Sequence, residues 1–187
     1  EMPKIVRKKQ REVDRLEAER QRIQTLHQQR LSGNHSPKLL DLYQINSNGT
    51  VTDKALKLTW MRCSLGQNWT GRSCNGEAKE YKWEQAKKMA KEVRFAGHTD
   101  WRLPTINELK SLVYCSEGVG YNQCASGSQQ PTLFQSLFPN TPATFYWSAS
   151  PLANSSINAW GVGFYNGYGS YSDRDGHNYV RLVRSGH

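Results

Sequence analysis

Few residues in this chain are of types that could do chemistry. Four cysteines fall as two close pairs, Cys63 with Cys74 and Cys115 with Cys124, each enclosing a loop rich in Gly, Asn, Ser and Gln. Neither spacing is the two-residue separation of a zinc knuckle or a thiol-redox motif, and none of the five His lies near a Cys in sequence. Local disulfides are therefore the expected chemistry. They predict an oxidising setting, extracytoplasmic or at a cell surface, although a cytoplasmic place inside a larger fusion stays open. His98 stands close to Asp100 in Gly97-His98-Thr99-Asp100-Trp101 with no nucleophile motif nearby. Asp173 and Asp175 flank Arg174 in a turn-like stretch that reads as a solvated loop, not as a general acid and base. There is no glycine-rich phosphate cradle, no nucleophile elbow and no series of acids spaced for calcium. The expectation is a binder with no catalytic residue, no metal and no cofactor.

The elements that must position these residues follow from composition and periodicity. The chain has 187 residues, 36% of them hydrophobic, enough for one medium domain plus an appendage. No run approaches the roughly 18 apolar residues of a membrane span. The formal charge is +9, but residues 1–40 hold ten Lys or Arg and five acids, so +5 sits there and only +4 on the remainder. That distribution argues against nucleic acid as a partner, because the basicity is not concentrated on the folded part.

From Ile5 to about Leu31 the pattern is Arg, Lys, Glu and Gln with no Pro or Gly, which predicts a helix. Val6 and Val13 at heptad position a place Leu16 and Ile23 at d, but Lys9, Arg20, His27 and Arg30 share that seam. The helix is thus either a solvated spacer or a short coil through which copies pair. Ser32-Gly33-Asn34-His35-Ser36-Pro37 carries helix-stop chemistry, and the domain boundary falls near residue 40: a charged helical segment with linker over 1–40, then a ligand-binding domain over 41–187.

Within that domain, Asn48-Gly49 reads as a turn between short strands, with a strand over 56–61. Trp83, Ala86, Ala90 and Val93 recur at helical spacing with Trp83 facing inward. Thr105 with Glu108 forms a capping box ahead of Leu109, and Thr132 with Gln135 repeats it ahead of Leu137. From Tyr146 onward the period becomes two, as in antiparallel strands with one wet face. The order predicts α+β, with two or three helices packed on antiparallel strands and one helix ahead of them.

The segment Asp100-Trp101-Arg102-Leu103-Pro104-Thr105-Ile106-Asn107-Glu108-Leu109-Lys110-Ser111-Leu112 closely resembles the signature of the Lcl C-terminal domain family, bacterial domains with a C-type-lectin-like fold. Trp60-Met61-Arg62-Cys63, Phe138-Pro139-Asn140-Thr141, Tyr146-Trp147-Ser148-Ala149-Ser150 and Tyr179-Val180-Arg181-Leu182-Val183-Arg184 agree with it, over about residues 44–187. The resemblance implies a ligand face built from the C-terminal strands and loops, with binding as the usual role, and some relatives are adhesins for sulfated polysaccharides. The calcium-lectin tripeptides are missing, the nearest string being Gln130-Pro131-Thr132, so calcium-dependent sugar binding is not carried over.

A second resemblance concerns residues 158–178, which look like the variable region of proteins diversified by retroelements. Such systems mutate adenines, mostly in Asn codons, and the products never include Lys, Glu, Gln, Met or Trp. Residues 161–187 contain none of these five types, whereas residues 1–160 contain 43. Ordinary members of the family also carry Asn, Tyr and Gly in exposed strands and turns, so that explanation stands beside the first. In either case Trp160, Val162, Phe164, Val180 and Leu182 are expected to face inward. The expected ligand residues are Ser155, Ser156, Gly161, Gly163, Tyr165, Tyr168, Ser170, Tyr171, Ser172, Asp173, Asp175, Gly176, His177 and Asn178. Their Tyr, Ser, Gly and Asn are the currency of antibody paratopes, where Tyr gives large amphipathic contact and the small residues give adaptable hydrogen bonds. The expected partner is a protein or a glycan; the competing expectation is an adhesin that holds acidic polysaccharide through surface Lys and Arg.

Overall fold

The computed structural model describes residues 4–31 and 36–186. The stop expected at Ser32 to His35, and the seam side chains of Ile23 and His27, lie outside the described residues. Helix α1 (Lys4–Leu31) is exposed throughout 5–18, and Val6, Val13 and Leu16 stand in solvent. Its last turns behave differently. Leu26 enters the main core, and Arg30 donates from Nη1 to Asp53 Oδ2 at 2.9 Å and to Tyr43 Oη at 3.0 Å. The Arg30 and Asp53 side chains are only 7% and 0% exposed. Packing therefore crosses the boundary expected near residue 40, because a buried carboxylate needs a partner and α1 supplies it.

A 3₁₀ helix (Pro37–Leu42), capped by Ser36, leads into a four-stranded antiparallel sheet. Its order is β1 (Tyr43–Ile45), β2 (Thr50–Asp53), β3 (Leu58–Met61) and β9 (Val183–Ser185). Cys63–Cys74 closes beside the small β4 (Asn68–Trp69) and β5 (Cys74–Asn75) hairpin. Helix α2 (Trp83–Glu92) buries Trp83, Ala86 and Ala90, the spacing read from the sequence. Helix α3 (Ile106–Lys110) opens on the expected capping box: Thr105 Oγ1 accepts from Glu108 N at 3.2 Å, and Glu108 Oε2 accepts from Thr105 N at 2.7 Å. The matching box at Thr132 and Gln135 does not start a helix. Thr132 N and Oγ1 both donate to Phe164 O, at 2.7 and 3.0 Å, which binds the hydroxyl to a strand end instead of a cap.

The second sheet, β6 (Phe145–Pro151), β7 (Asn158–Gly163) and β8 (Tyr168–Asp173), is antiparallel with β8 at its edge. Residues 179–183 join the two sheets: Tyr179 bridges Tyr146, and Val183 pairs with Trp60. Two apolar clusters result, one around Trp60, Leu109, Phe138 and Phe164, the other around Trp83, Trp101, Trp147 and Leu182. Arg181 lies fully buried at the join, where it donates to Met61 O, Arg62 O, Ser64 Oγ and Thr141 Oγ1. Desolvation pushes its guanidinium pKa down to about 10. The mixed α+β fold expected from the sequence is the one observed.

Candidate functional site

The hairpin of β7 and β8 carries the site. Cross-strand partners share a face, so Trp160 and Tyr171 stand together, as do Val162 and Gly169, while Gly161 pairs with Ser170 on the opposite face. The Trp160 and Tyr171 rings meet edge to face with centroids 5.9 Å apart. From α3, Lys110 reaches across this face and places Nζ 5.9 Å from the Trp160 centroid. An added Cβ at Gly169 would collide with Lys110 Cε, so the glycine is what lets the lysine stem lie on β8. Between these groups and the Cys115–Cys124 loop runs a cleft of about 440 Å³ lined by Lys110, Val119, Asn122, Trp160, Tyr168 and Tyr171. It adjoins a second hollow of about 590 Å³ that shares Lys110, Val119, Asn122 and Gly167 and extends to Arg30. The disulfide loop is held against the hairpin turn by Cys124 N to Asn166 O at 2.8 Å and Asn166 Nδ2 to Gln123 Oε1 at 3.0 Å.

The residues expected to contact ligand separate into two groups along the hairpin. Tyr168 and Tyr171, which line the cleft, are 41% and 54% exposed with Ser170 half-buried between them, and Tyr165, in the turn between β7 and β8, is 45% exposed. At the far end, Ser155, Ser156, Ser172, Asp173, Asp175, Gly176, His177 and Asn178 gather where β7 begins and β8 ends, beside the start of α2. There Lys82 Nζ pairs with Asp175 Oδ1 at 3.1 Å, and Asn178 Nδ2 donates to Ser172 Oγ at 3.3 Å. Arg174 fixes this end: its Nε donates to Asn158 O at 3.1 Å and its guanidinium lies 4.4 Å from the Trp83 centroid.

Three expected orientations are corrected. Gly161 and Gly163 are buried, not on an outer face. A Cβ at Gly161 would strike the Tyr146 carbonyl and the Phe145 ring, and one at Gly163 would lie 2.6 Å from the Tyr165 ring. Both glycines exist to let neighbours close over the strand. Trp160, expected inward, is half-buried and lines the cleft. Val162, Phe164, Val180 and Leu182 are fully buried as expected. Sequence reasoning missed Lys110, Val119 and Asn122 as cleft residues. Lys110 sits in the family-like segment, but its reach over Gly169 depends on a contact some 60 residues away in the chain, which periodicity does not encode.

The family model described as the Lcl C-terminal domain matches residues 49–184. The chain belongs to the Lcl C-terminal domain family. A search of curated proteins finds no match. The Lcl domain match takes in both disulfides, all of α2 and α3 and the whole β7–β8 hairpin, so the cleft lies inside it, while Arg30 lies outside. Family membership points to a lectin-like binding domain. Two disulfides in the Lcl domain are compatible with an oxidising, extracytoplasmic setting, and no helix among the described residues is long and apolar enough to cross a membrane. Among the described residues no group of three or more His, Cys, Asp or Glu comes together that could hold a metal ion.

Proposed function

We propose that this domain recognises a protein or a glycan through its C-terminal hairpin, without catalysis, and that the residues around the hairpin are diversified by a retroelement. The observation that carries the reading is the exposure of Tyr165 in the turn between β7 and β8 and of Tyr168 and Tyr171 on β8, beside a β7 whose Ala159 and Val162 are fully buried. A face made this way changes its contacts without disturbing the core, because Val162 and Phe164 hold β7 while the side chains of β8 stand outside. The absence of Lys, Glu, Gln, Met and Trp from residues 161–187 supports adenine-directed change. Trp160 ends the permitted stretch, and in the fold it is the aromatic floor on which Tyr171 rests. The alternative, a non-diversified adhesin for acidic polysaccharide, would use Lys110 and the surface Lys and Arg. Sequencing the locus tests the first reading. A neighbouring reverse transcriptase and a near-copy of codons 150–187 differing only at adenines is the expected result; a lone gene with no such copy overturns diversification.

A further inference from the structure

Strand β8 is the edge of its sheet, paired to β7 alone. Natural edges are usually blunted by Lys, Pro, bulges or covering segments. Here the sequence Tyr168-Gly169-Ser170-Tyr171-Ser172 holds none of the blocking residues, and the first charge comes at Asp173. The register shows which groups are open. Arg174 N donates to Ile157 O at 2.8 Å, and hydrogen-bonded pairs alternate along an antiparallel ladder, so Ser172 and Ser170 bond inward to β7. The N–H and C=O of Gly169 and Tyr171 therefore point away from the sheet.

At the Tyr168 end of this edge, away from Asp173, the charge lining the cleft has one sign. The cleft and the adjoining hollow are lined by Lys110 and Arg30 and by no Asp or Glu. Arg30 is engaged by Asp53, but Lys110 forms no ion pair among the described residues. Its stem lies against Gly169, which places its ammonium at the cleft, 5.9 Å from the Trp160 ring centroid.

We infer that the cleft takes an extended acidic segment of a protein partner, which adds as a strand to β8 and sets a carboxylate on Lys110. This rests on the recognition reading above and names its partner. Main-chain pairing to Gly169 and Tyr171 supplies affinity that any extended peptide can use, and the cleft selects alternate side chains. A glycan could use the lysine and the tyrosines but not the open ladder, which is why the edge favours a peptide.

The test pans a displayed library of random linear peptides against the 187-residue chain, beside a glycan array. The expected result is enrichment of Asp or Glu flanked by β-forming residues. Lys110→Gln should then weaken a selected peptide about tenfold, as loss of a charge-assisted hydrogen bond does. N-methylation of alternate residues in that peptide should abolish binding, while N-methylation of the intervening ones leaves it intact. Peptides selected without acidic enrichment, or indifferent to Lys110→Gln and to N-methylation, overturn the acidic-strand inference. If those peptides, or glycans on the array, still depend on Tyr168 and Tyr171, recognition through the hairpin survives that failure. Binding indifferent to the tyrosines as well overturns both.

Discussion

The stem of Lys110 lies where a side chain on Gly169 would be: a Cβ built there falls on Lys110 Cε, with Nζ 2.9 Å away. A residue of α3 and a residue of β8 are thus fitted to each other, and the fit sets the Lys110 ammonium at the aromatic cleft. Gly169→Ala should displace the flexible lysine cheaply, lowering stability by less than about 1 kcal/mol while weakening ligand binding. Thermal melts and titration of a selected ligand check it. A variant that binds as well as the parent would show that the lysine's position is immaterial.

Gly161 makes the opposite case. The obstacle there is the Tyr146 backbone carbonyl together with the Phe145 ring, neither of which can swing away. Gly161→Ala should cost about 2 to 3 kcal/mol, measured by chemical denaturation. The contrast with Gly169→Ala separates a packing glycine from a site glycine on neighbouring strands.

The N-terminal helix should be divisible. Removing residues 1–20 deletes mostly exposed turns and should change stability by no more than about 0.5 kcal/mol. Removing residues 1–35 also deletes Leu26 and Arg30, leaving Asp53 buried without its cation and costing about 3 kcal/mol or more. Equal stability of the two truncations would contradict the buried pair's role.

Acid should loosen α3. Burial alone would raise the Glu108 carboxyl pKa, but the Arg102 guanidinium at 2.8 and 2.9 Å and the Thr105 amide outweigh it and hold the group below its ordinary value. A depressed carboxylate contributes stability that is present above the unfolded-state pKa and is lost as pH falls through the folded one. Stability should therefore decline below about pH 4, and Glu108→Gln should flatten that limb while costing about 1 kcal/mol at neutral pH. An unchanged acid limb in the variant would assign the decline to other carboxylates.

Reducing the Cys115–Cys124 bond frees a nine-residue separation and in the chain-entropy model removes about 2.5 kcal/mol. Because this loop is one wall of the cleft, a Cys115→Ser, Cys124→Ser variant should lose ligand affinity beyond what its stability loss explains. The Cys63→Ser, Cys74→Ser variant, whose bond lines neither the cleft nor the adjoining hollow, should lose stability with affinity retained. Affinity lost equally in both would make the wall unimportant.

What could be read in the chain followed local rules. Thr105 and Glu108 cap α3 because the capping box needs only four consecutive residues, and Trp83, Ala86 and Ala90 fall on one side of α2 because helical period alone places them. The cysteines pair as their spacing predicted. The misread positions depend on distant partners. Thr132 has the composition of a cap, yet the Phe164 carbonyl takes its donors. Trp160 alternates with Gly161 as an inward residue should, but both sides of β7 are covered in part, so period two could not tell which side carried the cleft. Leu26 and Arg30 are buried near the end of a helix that is exposed throughout 5–18, and only the buried Asp53 reveals why.

The most direct measurement compares the chain with a Tyr165→Ala, Tyr168→Ala, Tyr171→Ala variant for binding to displayed peptides, surface proteins and arrayed glycans, with thermal melts run alongside. Recognition by the hairpin predicts that the variant stays folded, with its melting temperature lowered by no more than about 5 °C, that it loses specific binding, and that the parent's binding persists in about 0.5 M salt. Binding that ignores the three substitutions and collapses in that salt would place recognition on the basic surface and contradict the assignment of function to the hairpin.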